Sequence, residues 1–293
     1  MIKMMAALLL FALVAGGAWA FATRGPQKLD QLDRLAGSSA AVLAARDVAY
    51  GKAARQKLDM YRPAAAPEGK ALPLLIFFYG GSWNSGDKAD YAFAAKAYAE
   101  EGFVVALPDY RLNPAVKFPA FVEDAAAAVA KARALAPDYG ADPDRILLAG
   151  HSAGGHIALM LALDPQWLRT AGVSSGAIKG VAALSAPTDF YPFTNAAAKA
   201  ALDGPQPELT QPLHFARADA PPLWLGTGSD DVTVKPRNSH VLAAAQQKLG
   251  ARAVAKDYPG LDHVDPLMAL ARPWRGKAPV LADSAAFLHE VAQ

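Results

Sequence analysis

The chain has 293 residues, 53% of them hydrophobic, and a formal net charge of +2 from 29 Lys and Arg against 27 Asp and Glu. That length and apolar content suit one large α/β domain, and the near-balanced charge, with no run of Lys and Arg, excludes the electrostatic footprint of a nucleic-acid-binding protein. Cysteine is absent, which excludes disulfides, thiolate zinc sites and a cysteine nucleophile.

The N-terminus predicts export. Lys3 gives a short basic start, residues 6–14 are apolar, and Ala18-Trp19-Ala20 offers an A-x-A cleavage site before Phe21. Residues 1–20 therefore read as a signal peptide, giving a periplasmic or secreted protein. The competing reading is an uncleaved anchor, because residues 4–22 are uncharged over about the length of a bilayer span. The domain would then be membrane-associated through this segment and still face outside the cytoplasm. Residues 21–45 read as a polar linker with a helical piece.

From residue 46 the chain predicts one domain running to residue 293. Residues 46–50 and 56–62 alternate apolar and polar at period two, as an antiparallel pair at a sheet edge does. Residues 74–79 are an apolar run suited to a strand buried on both faces, and Gly80-Gly81-Ser82-Trp83 follows. A helix over 88–101, a strand over 103–107 ending in Pro108-Asp109-Tyr110-Arg111, and an Ala-rich helix over 118–135 come next. A strand over 145–149 then runs into Gly150-His151-Ser152-Ala153-Gly154 and a helix. Strands are predicted again over 178–184, 223–225 and 251–258, with helices over 236–249 and 278–293. The segment 187–222 contains Pro192, Pro205, Pro207, Pro212 and Pro221, too many for core sheet, and reads as a small cap with a short helix near 195–202. Strands alternating with helices imply a mostly parallel eight-stranded sheet with helices on both faces, whose site collects beyond the carboxyl ends of the strands.

Strand, G-x-S-x-G and helix together read as a nucleophile elbow, with Ser152 on a strained turn and Gly150 and Gly154 removing Cβ atoms that would collide. A serine hydroxyl needs a neutral imidazole to take its proton. His263, in the loop after the last strand, is placed for it. His151 and His156 read as packing or supporting residues, His240 and His289 lie on helices away from the strand ends, and His214 lies in the cap. Asp230 or Asp231, after the preceding strand, supplies the carboxylate that orients the base. Asp109 and Arg111 read as a structural polar pair. No H-E-x-x-H or dinucleotide fingerprint is present, so no metal and no cofactor are expected.

Together, residues 77–83, Pro108–Arg111, the Ser152 elbow, the Asp230-Asp231 loop and Gly260–His263 resemble the α/β-hydrolase superfamily. Within it they are similar to the esterase branch of hormone-sensitive-lipase-like carboxylesterases, feruloyl-esterase-like proteins and kynurenine formamidases. The resemblance implies Ser152 as nucleophile and His263 as base, and its Gly-x-x-Asp-x-x-Val loop favours Asp231 over Asp230. It implies an oxyanion hole from the backbone amides of Gly81, Ser82 and Ala153. Tyr79 stands where the family usually has histidine; Tyr79, Trp83 and His151 are candidate substrate-pocket residues. The implied activity is hydrolysis of short-chain acyl or aryl carboxylic esters, a small-molecule substrate with no nucleic acid. The alternatives are an amide hydrolase on the same triad and a catalytically silent binding fold.

Overall fold

A computed structural model describes residues 25–65 and 69–293. The expected signal peptide, residues 1–20, and Phe21 lie outside the described residues. Among the described residues no helix is long and apolar enough to cross a membrane.

Eight strands form one sheet in the order β1-β2-β4-β3-β5-β6-β7-β8. They are β1 (Ala41–Ala49), β2 (Lys57–Pro63), β3 (Leu72–Phe78), β4 (Val104–Pro108), β5 (Ala141–His151), β6 (Ile178–Leu184), β7 (Leu223–Gly228) and β8 (Ala253–Tyr258). β2 runs antiparallel to β1 and β4, and every other pairing is parallel. β3 and β4 are buried along their whole length. That burial matches their branched and aromatic composition, since strands covered on both faces need no polar alternation.

The helices are α1 (Gly25–Leu35), α2 (Ala92–Glu100), α3 (Ala120–Leu135), α4 (Ala153–Leu163), α5 (Gln166–Thr170), α6 (Ala196–Leu202), α7 (Arg237–Lys248), α8 (Asp265–Met268) and α9 (Val280–Val291). α2 packs with α1 and α9, whereas α3 packs with α4 and α5, so the two groups cover the two faces of the sheet. Alanine favours α3, and its buried Phe121, Ala125, Ala128 and Ala132 fall at helical spacing on one stripe. Every residue of α4 is buried, as a helix apolar all round but for His156 requires.

From Gly25 onward, the stretch read as a linker is built into the domain. α1 is tied down by Asp33, whose carboxylate accepts the Arg272 amide at 2.8 Å, and Arg272 also donates to the Gly37 carbonyl and to Glu100. β1 begins at Ala41, earlier than its alternation indicated, and its register on β2 shifts after Leu43 and again after Ala45. Lys88 pins this edge by bridging Asp47 and Asp59, each at 2.8 Å. The helix expected over 88–101 opens with a 3-10 turn, Lys88–Tyr91, before α2.

Candidate active site

β5 delivers Ser152 into a turn that L-residues rarely adopt, with φ 53° and ψ −121°. Such a conformation persists only when its surroundings enforce it. Here the enforcement is close packing: a Cβ on Gly154 would come within 2.0 Å of the Phe78 oxygen, and one on Gly150 within 2.5 Å of Gly154. The serine amide donates to the Leu184 carbonyl at 2.9 Å, which fastens the turn to the end of β6.

His263 and Asp231 arrive from the loops after β8 and β7. A Cβ on Gly228 would meet the Leu261 carbonyl at 2.2 Å, so glycine lets these two loops touch. His263 Nδ1 donates to Asp231 Oδ2 at 2.8 Å, and Ser152 Oγ lies 3.0 Å from His263 Nε2. The other oxygen of Asp231 accepts the amides of Thr233 and Val234 at 2.9 and 2.8 Å, which fixes the carboxylate's direction. Asp231 is buried, whereas Asp230 is exposed and, among the described side chains, accepts only from its neighbour Ser229. The geometry therefore separates the two aspartates.

The loop after β3 supplies the opposite wall. Gly81, Ser82 and Trp83 all have positive φ, at 127°, 52° and 58°, and a Cβ on Gly81 would come within 2.3 Å of the Ser85 oxygen. Among the described residues, the Gly81 and Ser82 amides donate to no group of the chain. Ala153 is the first residue of α4, where a helix leaves its amides unpaired and its dipole positive.

A cleft of about 100 Å³ opens beside Ser152 and Ser82, walled by Trp83, Phe190 and Phe193. Trp83 and Phe190 stack at 6.0 Å between centroids. Two of the polar residues on this cleft are already engaged: Asn195 caps α6 through the Ala197 and Ala198 amides, and Asn238 accepts the Thr188 and Asp189 amides. The cleft thus offers a ligand aromatic walls from Trp83, Phe190 and Phe193 beside the polar side chains of Ser82, Ser152, Thr194 and Thr233.

Of the three residues assigned to the pocket, Trp83 lines it, but Tyr79 and His151 do not. Tyr79 is fully buried and stacks between Tyr91 and Tyr110 at 5.3 and 4.7 Å. Its hydroxyl donates to Asp109 at 2.9 Å and accepts from Arg55 at 2.7 Å. Arg55 also donates to the Gly86 carbonyl at 2.7 Å, so this network braces the glycine loop from behind. Burial, then the nearby Tyr110 and Asp109, pushes the phenol well above its usual range, and it stays protonated. His151 turns under the elbow, where its Nε2 donates to the His263 carbonyl at 2.9 Å. Its side chain points into protein because β5 alternates faces and the next residue, Ser152, faces the cleft.

Asp109 and Arg111 are each paired, but not to one another. Asp109 takes Arg55 and the Lys88 amide, while Arg111 forks onto Asp124. His156 packs edge-on against Trp83 and Phe190 and meets the Thr210 carbonyl through Nε2, and burial holds it down to about 4. His240 pairs with Asp257, His289 stacks on Phe103, and His214 meets Phe215 edge-on. Arg55 and the two cleft phenylalanines escaped the sequence reading. The phenylalanines carried a signal, being aromatic in an otherwise proline-rich polar segment; Arg55 carried none. Among the described residues, no group of three or more His, Asp or Glu side chains is placed to hold a metal ion.

The chain matches the BD-FAE family over residues 58–246. It is 30% identical over 255 residues to a probable isoprenylcysteine alpha-carbonyl methylesterase of Arabidopsis thaliana, covering 79% of this chain and 52% of that protein. It is 28% identical over 245 residues to esterase LipQ of Mycobacterium tuberculosis, covering 77% of this chain and 58% of the relative. The chain thus spans little more than half the length of these relatives. The crystal structure of an inhibited esterase B from Lactobacillus rhamnosis superposes with a TM-score of 0.76 at 21% identity, over 98% of this chain and 96% of that one. By the family match this chain belongs to the BD-FAE family, and it shares the α/β-hydrolase fold of that esterase structure.

Proposed function

We propose that the chain hydrolyses carboxylic esters by two-step acyl transfer on Ser152. The observation that carries this reading is the unbroken line of hydrogen bonds from Asp231 through His263 to Ser152, ending at the mouth of the aromatic cleft. With Nδ1–H committed to the Asp231 carboxylate, Nε2 of His263 is the atom left to take the serine proton. Ser152 Oγ then adds to the ester carbonyl, and the oxyanion falls to the backbone amides of Gly81, Ser82 and Ala153. Collapse expels the alcohol, protonated by His263, and leaves an acyl-serine. Water, deprotonated by the same Nε2, resolves it.

The cleft's small size and aromatic walls favour a short acyl chain or an aryl group on the substrate. The test compares p-nitrophenyl acetate, butyrate and decanoate with an aryl formamide, on wild type and Ser152→Ala. We expect the short esters to be turned over fastest and Ser152→Ala to fall by at least about a thousandfold, with thermal unfolding unchanged. Retained activity in Ser152→Ala would defeat the reading. Preference for the formamide would keep the serine and replace ester by amide chemistry.

We also propose that the domain works outside the cytoplasm, on the strength of Lys3, the apolar residues 6–14 and Ala18-Trp19-Ala20. Protein exported by a bacterial host should begin at Phe21. Retention of residues 1–20 in the membrane fraction would make the segment an anchor.

A further inference from the structure

One buried polar side chain of the elbow has no part in the chemistry above. His151 closes β5 and is 5% exposed, and its Nε2 lies 2.9 Å from the backbone oxygen of His263. A carbonyl oxygen only accepts, so Nε2 carries the ring proton and Nδ1 holds a lone pair. Among the described residues Nδ1 has no partner. It faces Gly80, where a Cβ would come within 3.0 Å of it. A second proton on this ring would have no acceptor there. Burial, reinforced by the neighbouring His263, accordingly holds His151 down to about 3, and it remains neutral throughout the working range.

The loop that His151 grips is also tied to the loop after β7, where the Leu261 carbonyl accepts the Asp230 amide at 3.0 Å. Asp262 accepts the Val264 and Asp265 amides at 2.8 and 3.1 Å, which shapes the turn into α8, and none of these bonds reaches β5. Among the described residues, the His151 contact is the hydrogen bond that joins the main chain of that loop to β5. The two imidazole rings lie 5.0 Å apart. An imidazolium formed on His263 therefore faces a neutral ring and not a second cation.

We propose that His151 is a positioning residue: its Nε2–H holds the His263 main chain against the elbow and so aims the His263 ring at Ser152 Oγ. The proposal rests on the roles given above to Ser152 and His263. Asp231 controls one end of the His263 side chain and His151 controls its backbone, and with both fixed the imidazole cannot swing away from the serine. The displacement at stake is small, but misplacement of a catalytic group by about 1 Å costs up to about 100-fold.

The test uses the full chain with p-nitrophenyl acetate. His151→Phe keeps a planar ring without a donor, and His151→Gln places an amide N–H at about the reach of Nε2. We expect His151→Phe to lower kcat by about 10- to 100-fold with KM within about threefold, and His151→Gln to recover to within about fivefold of wild type. Full activity in His151→Phe would overturn the proposal. So would a folded His151→Gln as impaired as a folded His151→Phe, since the donor would then not be what matters. A measurement on wild type needs no folded variant: long-range ¹H–¹⁵N NMR should show His151 as the Nε2–H tautomer, untitrated from roughly pH 5 to pH 8, where a free histidine changes charge. An Nδ1–H tautomer, or titration in that range, would overturn it. Fluorophosphonate labelling separates the two proposals. Wild type that leaves Ser152 unlabelled defeats the catalytic reading and the positioning role with it, whereas labelled wild type beside a fully active His151→Phe defeats the positioning role alone.

Discussion

Replacing Asp231 by asparagine changes one atom, and the surrounding hydrogen bonds dictate which way the new side chain must face. Oδ1 accepts two backbone amides, from Thr233 and Val234, and only an oxygen can stay there. In Asp231→Asn the side-chain nitrogen would therefore occupy the Oδ2 position, 2.8 Å from His263 Nδ1. Two donors cannot share that line, so His263 would turn over its proton, accept at Nδ1 and present Nε2–H to Ser152. A protonated Nε2 cannot remove the serine proton. Loss of the right tautomer in a triad lowers kcat by about 10⁴-fold, which is about 5.4 kcal/mol of transition-state stabilisation at 1.36 kcal/mol per tenfold. Because both backbone hydrogen bonds survive, unfolding should change by less than about 1 kcal/mol. Asp230→Asn, at an exposed side chain that accepts from Ser229, should keep kcat within about twofold. Steady-state hydrolysis of p-nitrophenyl acetate and chemical denaturation of both variants decide the matter. A loss below tenfold in Asp231→Asn, or a larger loss in Asp230→Asn, would show that Asp231 does not orient His263.

Tyr79→Phe removes the hydrogen bond to the buried Asp109 carboxylate and the one accepted from Arg55, while keeping the stacked ring and the contacts of Asp109 with Arg55 and the Lys88 amide; it should cost about 2 kcal/mol, or roughly 4–8 °C in thermal unfolding, and an unchanged transition would mean the network is idle. Ser152→Gly should abolish turnover and stabilise the fold by about 1 kcal/mol, because φ 53° is strained for serine and free for glycine; Ser152→Ala, which keeps the Cβ, should not stabilise. The buried His156 has a folded-state value depressed from 6.5 to about 4, so the unfolded chain binds more protons between those limits. The stability it protects is complete above about pH 6.5 and is lost as pH falls toward 4, by up to about 1.4 kcal/mol per pH unit for one proton. Denaturation of His156→Leu across that window should show a shallower loss than wild type, and parallel curves would remove His156 as the cause.

The strands that position the site were legible where composition and burial agree. β6 fell where its run of Ile, Val and Leu placed it, and β3, β4 and β7 fell within a few residues, because strands covered on both faces carry an unbroken apolar signal. The start of β1 was not legible: Ala41–Ala45 is alanine-rich, has no alternation, and pairs through shifted registers that leave no period to read. Ser152, Asp231 and His263 could be placed together because each follows directly on a parallel strand, and strand order puts all three at one sheet edge. The direction of a side chain at a strand end is a different matter. Tyr79 and His151 stand at strand ends beside the cleft, yet both side chains turn inward, toward Arg55 from a distant turn and toward the His263 carbonyl. Asp109 and Arg111, two residues apart, paired with Arg55 and Asp124 for the same reason. Those partners are set by packing between elements, which no local spacing encodes.

The claim on which the rest depends is that Ser152 carries an activated hydroxyl. Intact-mass spectrometry of the folded protein before and after a fluorophosphonate probe, with the labelled peptide sequenced, tests it directly. A single adduct on Ser152 is expected in wild type and Asp230→Asn, and labelling slowed by orders of magnitude in Asp231→Asn. An adduct on another residue, or folded protein that takes up no probe, would contradict it.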